Sequence, residues 1–359
     1  MHVAVAGWLL EDGAHSGANR RLHALLREAH AWLRAGERVT VLHRPQLEAR
    51  PPFERVGWRA VDIPPRPTWR RAVAEQRTLR PLLRELGATV YDHGFLPTPR
   101  VGVPVCQTIH DVRDADGEGE GRRPRWLARA VLRRSLLRAA RVLTVSEWTA
   151  QRLRALVPGC EPVVVRNGVD AAEPGPRPRR LPARGYVLHV GHLEPRKNVS
   201  VLVRALARID AAARPELWLI GHDAGEWPRL RALAERLGVR EDVLYLGPQP
   251  DRVLAAYYRG ARLVAVPSRH EGYGLPALEA RVQGTRVAVA DAGALPEIAG
   301  DGLVLPVDDA EAWAAAMSPP EAEDPEAIRA RASAAAALDW SEAARRWVEA
   351  LRAVSASRP

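Results

Sequence analysis

Residues 1–44, MHVAVAGWLLEDGAHSGANRRLHALLREAHAWLRAGERVTVLHR, decide the fold. MHVAVAGWLL is a short apolar strand and EDGAHSGA a loop carrying Gly13 and Gly17. NRRLHALLREAHAWLRAGE then keeps a helical period up to Gly36, and RVTVLHR is a second strand. Strand, glycine loop, helix and strand form the opening unit of a doubly wound α/β domain, whose loop amides and helix N-terminus make a corner suited to an anion. The glycines do not complete a dinucleotide-binding fingerprint, so the loop alone names no ligand.

Working outward, helix and strand keep alternating: a helix through WRRAVAEQRTLRPLLRELG, strands ATVYDHG and VPVCQTIHD, a helix through PRWLARAVLRRSLLRAA and a strand RVLTVSE. The proline-rich, charged AAEPGPRPRRLPAR (171–184) interrupts the pattern and reads as a linker. A second α/β series follows, with strands YVLHVGHL, ELWLIGH, DVLYLG, RLVAVPS and RVAVAD separated by helical stretches. The expected architecture is therefore two Rossmann-like domains, 1–170 and 171–340, with 341–359 as an amphipathic C-terminal helix packing back across the junction.

Composition agrees with two cores, since 359 residues exceed what one core usually organises and 47% are apolar. No stretch approaches the roughly 20 uncharged apolar residues of a spanning helix. The N-terminus lacks a basic region and meets Glu11 early, which reads as cytoplasmic. Cys106 and Cys160 sit in unrelated contexts with no second pair for a metal, and read as ordinary free thiols.

The charge is uneven. Residues 1–170 hold 28 Arg against 18 acids, a net +10, whereas 171–359 hold 25 of each sign. An anionic membrane, a phosphorylated acceptor or nucleic acid would suit such a half, and an arginine-rich composition accounts for much of it. Nucleic acid is set aside because no zinc spacing, aromatic RNA-binding signature or recognition-helix pattern is present. Of the 53 basic residues, 52 are Arg and one is Lys197. A compact ammonium on a flexible stem suits a phosphate in a tight site.

Lys197 lies in GHLEPRKNVS (191–200), where a strand ends at Gly191 and a helix begins near Asn198 or Val199. Arg196 and Lys197 beside a positive helix end could hold a diphosphate and neutralise the charge of a departing nucleoside diphosphate without a metal. In RHEGYGLPALEA (269–280) a glycine-containing loop turns into a helix at Pro276. There the Gly274 and Leu275 amides could meet a phosphate, Glu271 sugar hydroxyls and Glu279 a ribose. A glycosidase pair of Glu271 and Glu279 is the competing reading, and it leaves Arg196 and Lys197 without a role.

With TIHD (108–111), VSEWTAQRL, VVRNGVD, LWLIGHDAG, LGPQPDRVLAAYYRGARLVAVPS, GALPEIAGDGLVLPVDD and the Glu-x7-Glu spacing of Glu271 and Glu279, nearly the whole chain resembles the retaining glycosyltransferases of family 4. The resemblance implies the GT-B fold, two Rossmann-like domains facing each other across a cleft, with the N-terminal domain binding acceptor and the C-terminal domain a nucleotide-sugar donor. It implies that Arg196 and Lys197 bind the donor diphosphate, Glu279 the ribose and Glu271 the donor sugar. Gly191, Gly272, Tyr273, Gly274 and Leu275 would supply loop contacts, and Gly17 would approach phosphate or acceptor. His110, ordinarily structural after an apolar strand, becomes a residue near the donor sugar. The loop AHSGA has one glycine where many members have two, and Gln249–Val253 carry no mark of base specificity.

The reaction implied is metal-independent, cofactor-free transfer of a hexose with retention, from GDP-mannose in first preference or a UDP- or dTDP-sugar, to a glycan, lipid-linked or small-molecule acceptor. The chain offers no obvious carboxylate nucleophile, so departure and attack on one face of the sugar would rest on positioning and phosphate-charge stabilisation. Epimerases and phosphorylases that share the architecture are the alternative chemistry. The helices around Trp69 and Trp126 mix arginine with apolar residues and could lie on anionic lipid or simply cover the sheet. The loop VRDADGEGEGRRP (112–124), too polar to pack, is expected to be mobile and to close over substrate.

Overall fold

A computed structural model of the chain describes residues 1–8, 10, 17–48, 50–64, 66–117, 124–170, 181–318 and 324–356, residue 252 by its backbone only. Gly13 and most of the glycine loop, residues 118–123 of the polar loop and 171–180 of the expected linker lie outside the described residues. The chain divides into two compact units, Met1–Gly168 with Asp339–Pro359, and Val169–Leu338.

The first unit opens with β1 (His2–Gly7), α1 (Gly17–Ala29), β2 (Arg38–His43), β3 (Val56–Ala60), α2 (Thr68–Glu85), β4 (Val90–His93) and β5 (Val105–Ile109). It continues with α3 (Arg113–Asp116), α4 (Arg125–Leu136), β6 (Arg141–Thr144), α5 (Glu147–Leu156) and β7 (Val163–Val164). Its strands form one parallel sheet in the order β3-β2-β1-β4-β5-β6-β7. β1, β4 and β5 are buried throughout, and in β1 the residues Val3–Ala6 accordingly read as an apolar run rather than an alternating one. The strand order reverses between β1 and β4, where a doubly wound sheet opens a crevice at its carboxyl edge.

The second unit carries β8 (Tyr186–Val190), α6 (Val199–Leu206), β9 (Glu216–Ile220), α7 (Trp227–Arg236), β10 (Val243–Gly247), α8 (Asp251–Gly260) and β11 (Leu263–Val266). Then come α9 (Leu275–Val282), β12 (Val287–Ala290), α10 (Leu295–Ala299), β13 (Leu303–Leu305), α11 (Ala310–Met317) and α12 (Pro325–Ala336). The parallel order β10-β9-β8-β11-β12-β13 repeats the reversal, now between β8 and β11.

A last helix, α13 (Trp340–Ala356), returns to the first unit. Its Trp347 Nε1 donates to Asp92 Oδ2 at 3.0 Å, and Arg352 forks onto both oxygens of Glu37 at 3.0 and 2.8 Å. The chain leaves and re-enters this unit at one place, because a β-carbon on Gly168 would lie 2.3 Å from the Trp340 nitrogen. In the second unit Val169 N donates to Leu338 O at 2.9 Å.

Several elements differ from the sequence reading. α1 ends at Ala29 and not near Gly36. Trp32, within the expected helix, instead donates from its indole to Ser341 Oγ at 3.2 Å, and Arg55 donates to Leu33 O at 2.5 Å. Strand β3 was not foreseen, since this edge strand is mostly exposed and lacks an apolar run. The polar loop starts as the helical turn α3, which buries Ala115 and has Asp116 paired with Arg152, so its first part packs after all. Among the described residues, no helix is long and apolar enough to cross a membrane.

Candidate active site residues

In the second unit both motifs sit just beyond the carboxyl ends of β8 and β11, the strands flanking the reversal. Past Gly191 the chain makes a single 3-10 turn, Pro195–Lys197, and Asn198 takes a left-handed conformation (φ 52°) before α6 begins. Asn198 holds that turn in place, its Nδ2 donating to Val307 O at 2.9 Å and its Oδ1 accepting from Arg269 Nη2 at 3.0 Å. The two motifs are joined along the backbone, Arg269 N donating to Arg196 O at 2.8 Å. Glu271 is fixed in turn by Ala294 N, which donates to its carbonyl at 2.9 Å. Gly293 (φ 60°) passes so near that a β-carbon there would sit 2.4 Å from the same oxygen.

Lys197, Arg196 and Glu271 therefore converge. Lys197 Nζ donates to Glu271 Oε2 at 2.6 Å, and Arg196 Nη1 lies 3.8 Å from the same oxygen while its Nε donates to Glu194 Oε2 at 2.6 Å. Sequence reading foresaw two adjacent cations, and in the folded chain each already has a carboxylate partner. Burial alone would raise the Glu271 carboxyl, but the Lys197 ammonium with its hydrogen bond, then Arg196 and His270, hold it below the usual range. An incoming diphosphate would take over cations that Glu271 and Glu194 now neutralise, releasing the Glu271 carboxylate to accept from hydroxyl groups.

Gly274 precedes α9 at φ 104°, a conformation glycine takes without strain. Gly272 and Leu275 are half-buried and Tyr273 is buried. Glu279 lies inside α9, its Oε2 accepting from Tyr258 Oη at 2.7 Å. Two histidine features escaped the sequence reading. His189, buried within β8, has Nδ1 3.0 Å from Ala265 O, while its Nε2 has no hydrogen-bond partner among the described residues and would lie 3.5 Å from a β-carbon at Gly191. Burial, then the Lys197 charge, push it down to about 4, with the Ala265 hydrogen bond and Glu271 opposing, so it is neutral. His192 and His222, after β8 and β9, stack with ring centroids 5.5 Å apart.

The first unit holds the other two expected residues. Gly17 opens α1 and is exposed. His110 follows β5 and lines a pocket at the reversal of the sheet, together with Asn19, Arg21, Asp92 and Thr108. Burial and then Arg21 push His110 down to about 4 against the opposing Asp111, leaving a neutral imidazole. Asp92 was missed by sequence reading. Burial raises its carboxyl to about 6 even though Trp347, Arg21, His93 and Thr108 favour the charged form. Cys106 and Cys160 are free and buried.

Two parallel sheets of Rossmann type, with cations and carboxylates gathered at the carboxyl edge of the second, define a protein of the GT-B fold. Residues 15–173 match the family described as Glycosyltransferase Family 4, and 184–319 match Glycosyl transferases group 1. The chain belongs to this family of glycosyltransferases. It is 33% identical over 237 residues to a D-inositol 3-phosphate glycosyltransferase of Acidothermus cellulolyticus, covering 58% of this chain and 52% of that protein. It is 35% identical over 199 residues to O-antigen chain mannosyltransferase B of Escherichia coli, covering 51% and 52%. The chain thus spans about half the length of these curated relatives. Among solved structures, Anabaena Alr3699/HepE in complex with UDP and glucose is similar in fold, with a TM-score of 0.69 at 18% identity over 98% of this chain and 100% of that one.

Proposed function

We propose that the chain transfers a hexose from a nucleotide-sugar to a hydroxyl of a glycan, lipid-linked or small-molecule acceptor, with retention of configuration. The observation that carries this reading is the meeting of Lys197, Arg196 and Glu271 at the reversal of the second sheet. Two cations there neutralise a leaving diphosphate without requiring a metal. Glu271 accepts from the sugar hydroxyls, and Glu279 from the ribose in place of Tyr258. Gly191 and the turn from Gly272 to Leu275 let the backbone approach the donor. His110, neutral, serves the transferred sugar as donor or acceptor of a hydrogen bond, and Gly17 approaches phosphate or acceptor. GDP-mannose is the first donor to try, supported by the relative named a mannosyltransferase; UDP-sugars come next, supported by the UDP complex of the Anabaena protein. A lipid-linked acceptor would bring the basic first unit against an anionic membrane.

The test is thermal stability against GDP-, UDP-, dTDP- and ADP-sugars, since a ligand that binds only the native state raises its transition temperature. One donor should stabilise the protein, and Lys197→Ala should abolish the shift. Equal indifference to all four would overturn the reading.

A further inference from the structure

The pocket of the first unit contains a carboxylate that the diphosphate site does not use. Asp92 is the third residue of β4, paired with Val5 of β1 on one side and Cys106 of β5 on the other. It is 8% exposed and lines the pocket. Taking a carboxylate out of water is costly unless hydrogen bonds replace the lost hydration. Among the described residues the replacement is partial: Trp347 Nε1 supplies one bond at 3.0 Å, and Thr108 Oγ1 stands at 3.5 Å from the other oxygen. A carboxylate has about four acceptor positions, so the group keeps capacity for ligand hydroxyls.

The surroundings restrict what can enter. Arg21 reaches from α1, its Nη1 donating to Val165 O at 2.9 Å and Asn167 Oδ1 at 2.5 Å; both acceptors are neutral, so its charge remains and favours the ionised form of Asp92. His93 lies beside Asp92 on β4 with both ring nitrogens engaged, by Gln107 Oε1 and Glu75 Oε1 at 3.1 Å each. His110, beyond β5, is neutral; Cys106 and Thr108 from β5 and Trp347 from α13 carry no charge. Val5, Leu25 and Phe95 add apolar surface to the same lining. Hydrogen-bonding groups interleaved with apolar surface suit a saturated hydroxylated ring. A phosphate placed against Asp92 would meet like charge in a poorly hydrated site.

We propose that Asp92 selects the acceptor: its carboxylate accepts hydrogen bonds from the hydroxyls of an uncharged sugar or polyol ring and keeps an anionic group out of the same position. The inference rests on the transferase reading only for the word acceptor; the ligand class follows from the pocket. It sets this chain apart from the relative whose name specifies an inositol phosphate.

The experiment uses the full chain and four probes followed by saturation-transfer NMR titration: methyl α-mannoside, methyl α-glucoside, myo-inositol and myo-inositol 1-phosphate. The first three should include a binder, with the phosphate weaker than its uncharged parent. Asp92→Ala should weaken the uncharged binder by about tenfold or more. Asp92→Asn retains an oxygen for Trp347 and nearly the same shape, so it guards against loss of fold; in it the preference for uncharged over phosphorylated inositol should fall by about tenfold. Three results would each overturn the proposal: no uncharged probe binding the wild type, tighter binding of the phosphate, or an unchanged preference in Asp92→Asn. GDP and UDP thermal shifts run in parallel report the second unit. Their absence alongside intact Asp92-dependent binding would sink the donor reading alone.

Discussion

Lys197 and Glu271, 74 positions apart in the chain, meet through Nζ and Oε2 at 2.6 Å, with the lysine side chain 9% exposed and the glutamate 18%. In the folded chain the lone lysine is thus an ion-pair partner, and its proposed role toward a phosphate can be separated from its role in stability.

Lys197→Ala should therefore do two things. It should lower turnover by at least about a hundredfold through loss of phosphate-charge stabilisation, and it should destabilise the fold by about 3 kcal/mol by leaving Glu271 with only the longer Arg196 contact. The double variant Lys197→Ala with Glu271→Gln should regain most of the stability and none of the turnover. Urea unfolding and a donor-turnover assay on the wild type, the two single variants and the double variant check this, and a double variant as unstable as Lys197→Ala would remove the ion pair from the account.

The Glu271 carboxyl is held below its usual range, so its contribution to stability is present at neutral pH and is lost as the medium becomes acidic enough to protonate it. Melting curves between pH 7 and pH 3 should show the wild type losing more stability than Glu271→Gln. Parallel losses would contradict the depressed titration.

Asp92 behaves in the opposite sense. Its carboxyl is raised to about 6, so its favourable contribution exists where it is protonated and disappears as pH rises through that value. Asp92→Asn should accordingly be more stable than wild type at pH 8, by up to about 3 kcal/mol, with the advantage shrinking toward pH 4. A constant difference across that range would mean that the carboxyl titrates normally.

On α4, Trp126 is 70% exposed and the helix carries four arginines and no acid. The protein is expected to float with vesicles of anionic phospholipid at low salt, to stay behind with zwitterionic ones, and to lose most of the effect in Trp126→Ala. Absence of flotation at low salt discards the membrane reading.

Legibility in the sequence followed distance along the chain. The switch-point loops could be read because GHLEPRKN and RHEGYGLP each directly follow an apolar strand, so their carboxyl-edge position comes with the strand. What could not be read was the pairing between them, since ion partners 74 positions apart leave no local mark. Asp92 was hidden for the same reason: YDHG looks like any strand end, and its partner Trp347 is 255 positions away. His189 was masked by its apolar neighbours in YVLHV. The end of α1 was misplaced because the apolar period runs on through Trp32 and Leu33, while Arg55 (φ 61°), across a turn, claims the Leu33 carbonyl. Helix α12 went unnoticed because its alanine-rich face, with few buried positions, offers no stripe.

Helix α13 also sets an order of events during synthesis. β1 through β7 leave the ribosome first, yet Trp347 and Arg352 emerge only after the entire second unit has been made. Until then Asp92 and Glu37 wait without the indole and guanidinium that complete their surroundings. The nascent first unit is consequently a sheet with an unfinished flank, and its maturation is timed by the translation of residues that belong elsewhere.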